Sequence, residues 1–329
     1  MRREIVPGVL EVGVRDYDRE LFDEIMPLPK GTSYNSYIVQ GFNNTALIDT
    51  VEPSKFDKFL ENIKDINIDY IIANHAEQDH SGSLSKLIEL YPQAQIVCNQ
   101  KCKELLINLL HLPEDRFYII EDGDTLDLGF KNLKFIFTPW VHWPETISTY
   151  LIEEKILFSC DFFGSHIATE DLFAYDEELL VDATKRYYAE IMMPFRGKIK
   201  SNIEKLSEYD IDIIAPSHGQ LYNDPQFILN LYKEWISDEC KNKVVIPYVS
   251  MHESTKIIAE YLKEKLEQKQ LSVTLANITK TSSGDLASEV VDAKVIILAT
   301  PAFLTGMHPK MANLAFLLNA LRPKTKFIG

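Results

Sequence analysis

No apolar run in this sequence reaches the roughly 18 residues that a membrane-spanning helix requires. The opening Met1–Gly8 stretch is too polar for a signal peptide. Cysteine is scarce: Cys98, Cys102, Cys160 and Cys240 form no CxxC pair, which fits reduced, buried thiols in a cytoplasmic chain. Basic residues are outnumbered, 34 against 49 acidic ones, for a net charge of −15. With no Lys/Arg run to offset that charge, bulk electrostatics argue against nucleic acid and anionic membrane surfaces as partners. No internal repeat or low-complexity segment occurs. What remains is ordinary globular material, 46% hydrophobic and 25% charged, and 329 residues suffice for two domains with large cores.

Two rhythms divide the chain. Up to about residue 240, short apolar runs alternate with helical periods. Ser33–Gln40 and Thr45–Asp49 read as a hairpin. Helices are expected at Ser54–Lys64, Ser83–Leu90 and Lys101–Leu110. Strands are expected at Ile68–Ala73, Gln95–Cys98, Lys134–Thr138, Ser148–Ile152, Lys155–Ser159 and Asp212–Ala215. This pattern predicts an α/β or α+β sandwich. From Lys243 the order is regular: strand Lys243–Ser250, helix Ser254–Gln268, strand Leu271–Ala276, and a helix around Asp285–Val291. Strand Lys294–Thr300, helix Pro309–Leu321 and strand Thr325–Gly329 complete it. Such alternation predicts a parallel sheet built from βαβ units.

The densest chemical signal is Asn74-His75-Ala76-Glu77-Gln78-Asp79-His80, placed directly after an expected strand. Four potential ligands fall within six residues. His142, Asp161 and His218 each follow another expected strand. Taken singly, a His or Asp at a strand end is more often a capping residue than a ligand. Taken together, seven groups delivered to strand ends read as a rigid metal site. Seven exceed one tetrahedral zinc but suit two metals sharing a carboxylate. Four imidazoles and three carboxylates, with no thiolate, shift preference from zinc towards iron or manganese. Of the remaining histidines, His111 is expected to cap a helix, His308 to lie in a loop, and His166 to stand behind the ligands. Tyr34 and Tyr188 are further candidates near the site.

The HxExDH cluster resembles the metallo-β-lactamase fold, except that Glu77 replaces the second His of the hydrolases' HxHxDH. With His142-Trp143-Pro144-Glu145, Ser159-Cys160-Asp161 and Ser217-His218-Gly219, it resembles the flavodiiron proteins. Val14–Asp18, Gly31–Tyr37 and Arg186–Met192 resemble their sequences too. The resemblance implies one iron on His75, Glu77 and His142, a second on Asp79, His80 and His218, and Asp161 between them. It implies a metallo-β-lactamase-like αββα sandwich over residues 1–241, then a partial flavodoxin-like doubly wound parallel sheet over residues 242–329.

In the second half, a hydroxyl-rich loop opening a helix after a parallel strand is a phosphate cradle, because the helix N-terminus offers free N–H groups. The same Ser-Thr pair is also an ordinary N-cap. The loop Ser250-Met251-His252-Glu253-Ser254-Thr255 resembles the family's first FMN loop, provided that Glu253 points away from a phosphate. Pro301-Ala302-Phe303-Leu304-Thr305 lies in a segment resembling the second, which contacts the flavin ring. A third loop would begin where the sequence ends, so weak FMN binding is expected of the chain as given.

By resemblance, the expected activity is reduction of O2 to water, or of NO to N2O, at a non-haem diiron site re-reduced by FMN. A head-to-tail homodimer and a rubredoxin or other soluble donor are implied; lacking CxxC…CxxC, the chain carries no rubredoxin of its own. The competing readings are a dizinc hydrolase, which normally carries His where Glu77 stands, and a flavodoxin-like carrier with a vestigial first domain.

Overall fold

A computed structural model describes residues 2–174 and 177–329. The chain divides into two compact units. The first comprises Met1–Glu20, Leu28–Thr184 and Gly197–Leu229; the second comprises Leu21–Pro27, Lys185–Arg196 and Asn230–Gly329.

The first unit contains a seven-stranded and a five-stranded sheet. In the larger, Tyr37–Gln40 pairs antiparallel with Thr45–Ile48, as the expected hairpin. Gly41 follows the first of these strands, where only glycine fits, because a Cβ there would stand 2.1 Å from the Leu128 carbonyl oxygen. Tyr70–Ile72 and Gln95–Cys98 continue the sheet in parallel. Period-two alternation sorts the side chains. Ile38, Leu47, Ile71 and Ile96 meet Phe59, Ile63, Leu87 and Leu106 of the helices on one face. Tyr37, Val39, Ile48 and Val97 meet Phe135, Ile147, Leu151 and Phe158 of the five-stranded sheet on the other. Most of these side chains are fully buried, each contributing about 1.5–3 kcal/mol of hydrophobic stabilisation.

The expected helices appear at Phe56–Ile63, Leu84–Leu90 and Gln100–Leu110. His111 ends the last of these in a left-handed conformation. Sequence rhythm overlooked the short strands Arg3–Val6, Val9–Glu11, Phe117–Ile119 and Thr125–Asp127, and the helices Glu177–Tyr187, Arg196–Leu206 and Pro225–Ile236.

The second unit holds an all-parallel four-stranded sheet in the order Ser272–Asn277, Lys241–Tyr248, Ala293–Ile296, Phe327–Ile328. Its helices are Ser254–Glu267, Ser283–Val290 and Pro309–Leu321. The strand expected to reach Thr300 ends at Ile296, although Ile297 and Ala299 still donate to the neighbouring strand. His308, expected in a loop, is the N-cap of the last helix; its ring accepts from the Lys310 amide.

Candidate metal centre

Each expected ligand lies in a segment that follows a strand of the first unit. Strand Tyr70–Ile72 runs into the segment bearing His75 and Glu77. Asp79 and His80, expected in the same loop, sit on the helical turn Gln78–Ser81. That turn is fastened from outside: Thr50 donates to the His80 carbonyl through its amide at 2.7 Å and its hydroxyl at 2.6 Å. His142 lies between Asn132–Phe137 and Ile147–Leu151, and Asp161 directly follows Ile156–Cys160. His218 follows Ile213–Pro216. Beside it Gly219 takes a φ of +84°, and a Cβ there would fall 2.0 Å from Ser165 Oγ, so only glycine lets this loop pass.

The seven side chains converge around one carboxylate. Asp161 Oδ2 lies 3.5 Å from His75 Nε2 and 3.3 Å from His142 Nε2. Glu77 Oε2 completes this set, 3.1 and 3.0 Å from the same nitrogens. Asp161 Oδ1 lies 2.9 Å from His80 Nε2 and 3.4 Å from His218 Nε2. Asp79 Oδ2 completes the second set, 3.3 and 3.2 Å from those nitrogens. Atoms each about 2.1 Å from a shared ion are about 3.0–3.4 Å from one another, close to the spacing of both sets.

Electrostatics point the same way. Burial opposes charge on the four imidazoles and on Asp161, but the pairing overrides it. Against that burial, Asp161 and Glu77 hold His142 up at about 9, and Asp161 and Asp79 hold His218 up at about 10. His75 and His80 are also raised, while Asp161 is held well below the usual carboxylate range by His80, His142 and His218. Both oxygens of Asp79 and of Asp161 and both nitrogens of His80 are buried without a conventional hydrogen bond among the described residues. Buried polar atoms are costly unless something binds them. A mixed nitrogen and oxygen set with these unfilled atoms fits a pair of divalent cations.

The imidazoles are braced from behind. His75 Nδ1 donates to Glu145 Oε1 at 2.7 Å, and His218 Nδ1 donates to the Ser33 carbonyl at 2.6 Å. Asp49 accepts from the Asn74 amide and side chain at 2.8 and 2.9 Å, fixing the residue before His75. No sequence spacing marks Glu145 as a partner of His75, whereas Asp49 directly follows strand Thr45–Ile48, a strand-end signal like that of the ligands. Of the residues expected around the ligands, buried His166 packs its ring 5.1 Å from that of His218 and meets Thr32 Oγ1 at 2.9 Å. Tyr34 stands edge-on to His218, 5.9 Å between centroids. Tyr188 belongs to the second unit, packed with Tyr232 and Trp235.

In the second unit, the expected cradle opens the helix Ser254–Glu267, at the C-terminal end of strand Lys241–Tyr248. Glu253 turns its carboxylate to Lys256 Nζ at 2.7 Å, and Ser250 Oγ is buried without a partner among the described residues. Pro301–Thr305 follows the neighbouring parallel strand, with Ala302–Phe303 pairing to Gly306–Met307 as a small hairpin. Phe303 and Leu304 are exposed there. Two loops at the C-terminal edge of adjacent parallel strands form the crevice in which doubly wound sheets hold ligands. The unfilled hydroxyl and the outward turn of Glu253 fit a phosphate.

Comparison with known proteins agrees with this geometry. Residues 32–219 match the model of the ODP family beta lactamase. Rubredoxin oxygen:oxidoreductase from Desulfovibrio gigas superposes with a TM-score of 0.97 at 30% identity, covering 100% of this chain and 84% of its own. The flavodiiron protein of Giardia intestinalis gives 0.93 at 30% identity, covering 98% and 80%. An anaerobic nitric oxide reductase flavorubredoxin of Aliivibrio fischeri is 35% identical over 97% of this chain, which spans 66% of that protein's length. The architecture is a metallo-β-lactamase-like sandwich together with a flavodoxin-like sheet, and the chain belongs to the flavodiiron proteins, the family of the non-haem diiron site and FMN.

Proposed function

We propose that this protein reduces O2 to water, NO to N2O, or both. His75, Glu77 and His142 would hold one iron, and Asp79, His80 and His218 the other, with Asp161 between. When bound, the irons supply electrons to the diatomic substrate and FMN restores them. Residues 1–241 would carry the metal chemistry and residues 242–329 the flavin, with Ser250–Thr255 at the phosphate and Pro301–Thr305 at the ring.

The carrying observation is the division of Asp161, whose two oxygens face two separate ligand sets of equal composition. Among the seven side chains, Glu77 and His142 are the most exposed, at 20% and 17%. A small substrate would therefore reach the cluster on their side, while the rest excludes water. The carboxylate of Glu77 favours the ferric state, and its presence where hydrolases carry His speaks against the dizinc reading.

The names of the relatives, rubredoxin oxygen:oxidoreductase and anaerobic nitric oxide reductase, support both substrates and a rubredoxin or other soluble donor. Fast transfer requires a flavin close to the metals, so a head-to-tail homodimer is part of the proposal. No described helix is long and apolar enough to cross a membrane, and a cytoplasmic location is proposed with it.

Elemental analysis combined with anaerobic assays of O2 and NO consumption tests the proposal. About two irons per chain and consumption of either gas are expected; two zincs with neither activity would return the hydrolase reading.

A further inference from the structure

The two ligand sets have the same chemical content: each holds two imidazoles, one carboxylate of its own and one oxygen of Asp161. They differ in what stands behind the imidazoles. His75 donates Nδ1 to the carboxylate of Glu145 at 2.7 Å, whereas His218 donates to a neutral carbonyl, that of Ser33, at 2.6 Å. His80 Nδ1 is buried with no hydrogen-bond partner among the described residues. The sets differ in exposure as well. Glu77 and His142 are 20% and 17% exposed, against 5% for Asp79 and 1% for His80 and His218. The set backed by an acidic side chain is thus the one that water reaches.

Glu145 is built for this place. Its Oε1 also accepts from the Ala76 amide at 3.1 Å, and Asn99 Nδ2 donates to its backbone carbonyl at 2.7 Å. Its Oε2 is buried and has no hydrogen-bond partner among the described residues. A half-satisfied buried carboxylate costs folding free energy, so packing alone does not account for it. Its Oε1 reaches a histidine 70 residues away in sequence.

We infer that Glu145 is a positioning residue that retains the metal in the solvent-facing half of the pair. It keeps the proton on His75 Nδ1, so that Nε2 is free to face the ion, and makes that imidazole a stronger donor. Water competes for a metal held by partly exposed ligands, and the stronger donor offsets that competition. The buried half, shielded from water, needs no such partner. This inference rests on the proposed pair of metals.

The test is a stepwise anaerobic titration of the metal-stripped full chain with Fe(II), comparing the unaltered protein with Glu145→Ala and Glu145→Gln. Mössbauer spectra of the 57Fe-loaded forms report on each iron separately. Glu145→Ala should weaken one of two binding steps by about 10–100-fold and leave the other unchanged. Glu145→Gln, whose amide oxygen can still accept from Nδ1, should lose less, and only one of two Mössbauer doublets should shift. Equal weakening of both steps, no weakening of either, or loss of folding in both variants would overturn the inference. If the unaltered protein takes up no pair of metals, the functional reading fails first. If it takes up two and Glu145→Ala alters neither step, only this inference fails.

Discussion

The candidate metal centre and the candidate flavin cradle both lie where strands end, yet they are made of different materials. The first is an assembly of side chains: all but two of its seven ligands are at most 5% exposed, and two of its imidazoles are held by a second residue behind them. The second is an assembly of backbone and short hydroxyls, where Ser250 is half-buried and Met251–Ser254 are exposed. The difference follows from what is bound. Two divalent cations need several negative and neutral donors fixed within a few tenths of an ångström, and only a rigid, dry pocket does that. A phosphate needs amide hydrogens and a helix N-terminus, which any strand–helix junction supplies.

The harshest way to break the first region is to disturb what its two halves share. Asp161→Asn should lower the metal content from about two ions per chain to below one, because each half loses part of a charged donor. His80→Asn should cost one ion. Both chains should stay folded by circular dichroism, since the ligands follow the strands rather than form them. Unchanged metal content in both would sink the ligand assignment.

A subtler intervention keeps the metals and changes their identity. Glu77→His recreates the hydrolase pattern and removes a negative charge, so the zinc-to-iron ratio after growth in mixed metals should rise. Gas consumption should fall at least tenfold. Full consumption with iron still bound would refute the role given to Glu77.

How much of this was legible differs between the regions for the same reason. The seven ligands were readable because four lie within six residues and the others each follow an apolar run, so sequence spacing mirrors spatial convergence. What braces them was not readable. Glu145 is three residues from His142 yet serves His75, and the Ser33 carbonyl leaves no side-chain trace. In the second half, the βαβ rhythm gave every helix and strand of the parallel sheet to within a few residues, Thr300 excepted. The segments Leu21–Pro27 and Lys185–Arg196, which join that unit, carry no mark of it, because local composition does not say which core an apolar side chain will enter. The strands missed in the first unit are three or four residues long, too short for a period to emerge.

Glu190, on one of those joining segments, offers a test confined to the second unit. Its carboxyl is raised to about 7, chiefly by burial, with Asp285 adding to the rise and Arg186 opposing it. It lies among Ile25, Met26, Ala287 and Leu317. A raised acid is favoured in its neutral form, so its contribution to stability is intact below about 4.5 and is lost as pH rises through about 7. Glu190→Gln should therefore match the unaltered protein at pH 4 and exceed it by about 1–3 kcal/mol at pH 8 in urea unfolding. An equal difference at both pH values would show that the carboxyl does not ionise in this window.

The smallest expected effect probes the cradle, and its value lies in two opposite signs. Ser250 Oγ is buried with no hydrogen-bond partner among the described residues, so in the flavin-free protein the hydroxyl is a small liability. Removing it with Ser250→Ala should leave stability unchanged or raise it by a few tenths of a kcal/mol. If the hydroxyl donates to a flavin phosphate, the same change should weaken FMN binding by about 1–2 kcal/mol, roughly 5–30-fold. Fluorimetric titration with FMN and thermal unfolding without it, on the same preparations, give both readings. Riboflavin, which lacks the phosphate, should bind the two proteins equally. If Ser250→Ala weakens riboflavin as much as FMN, the hydroxyl acts on the ring or on the loop's shape. The phosphate would then lie elsewhere along the edge formed by Lys241–Tyr248 and Ala293–Ile296.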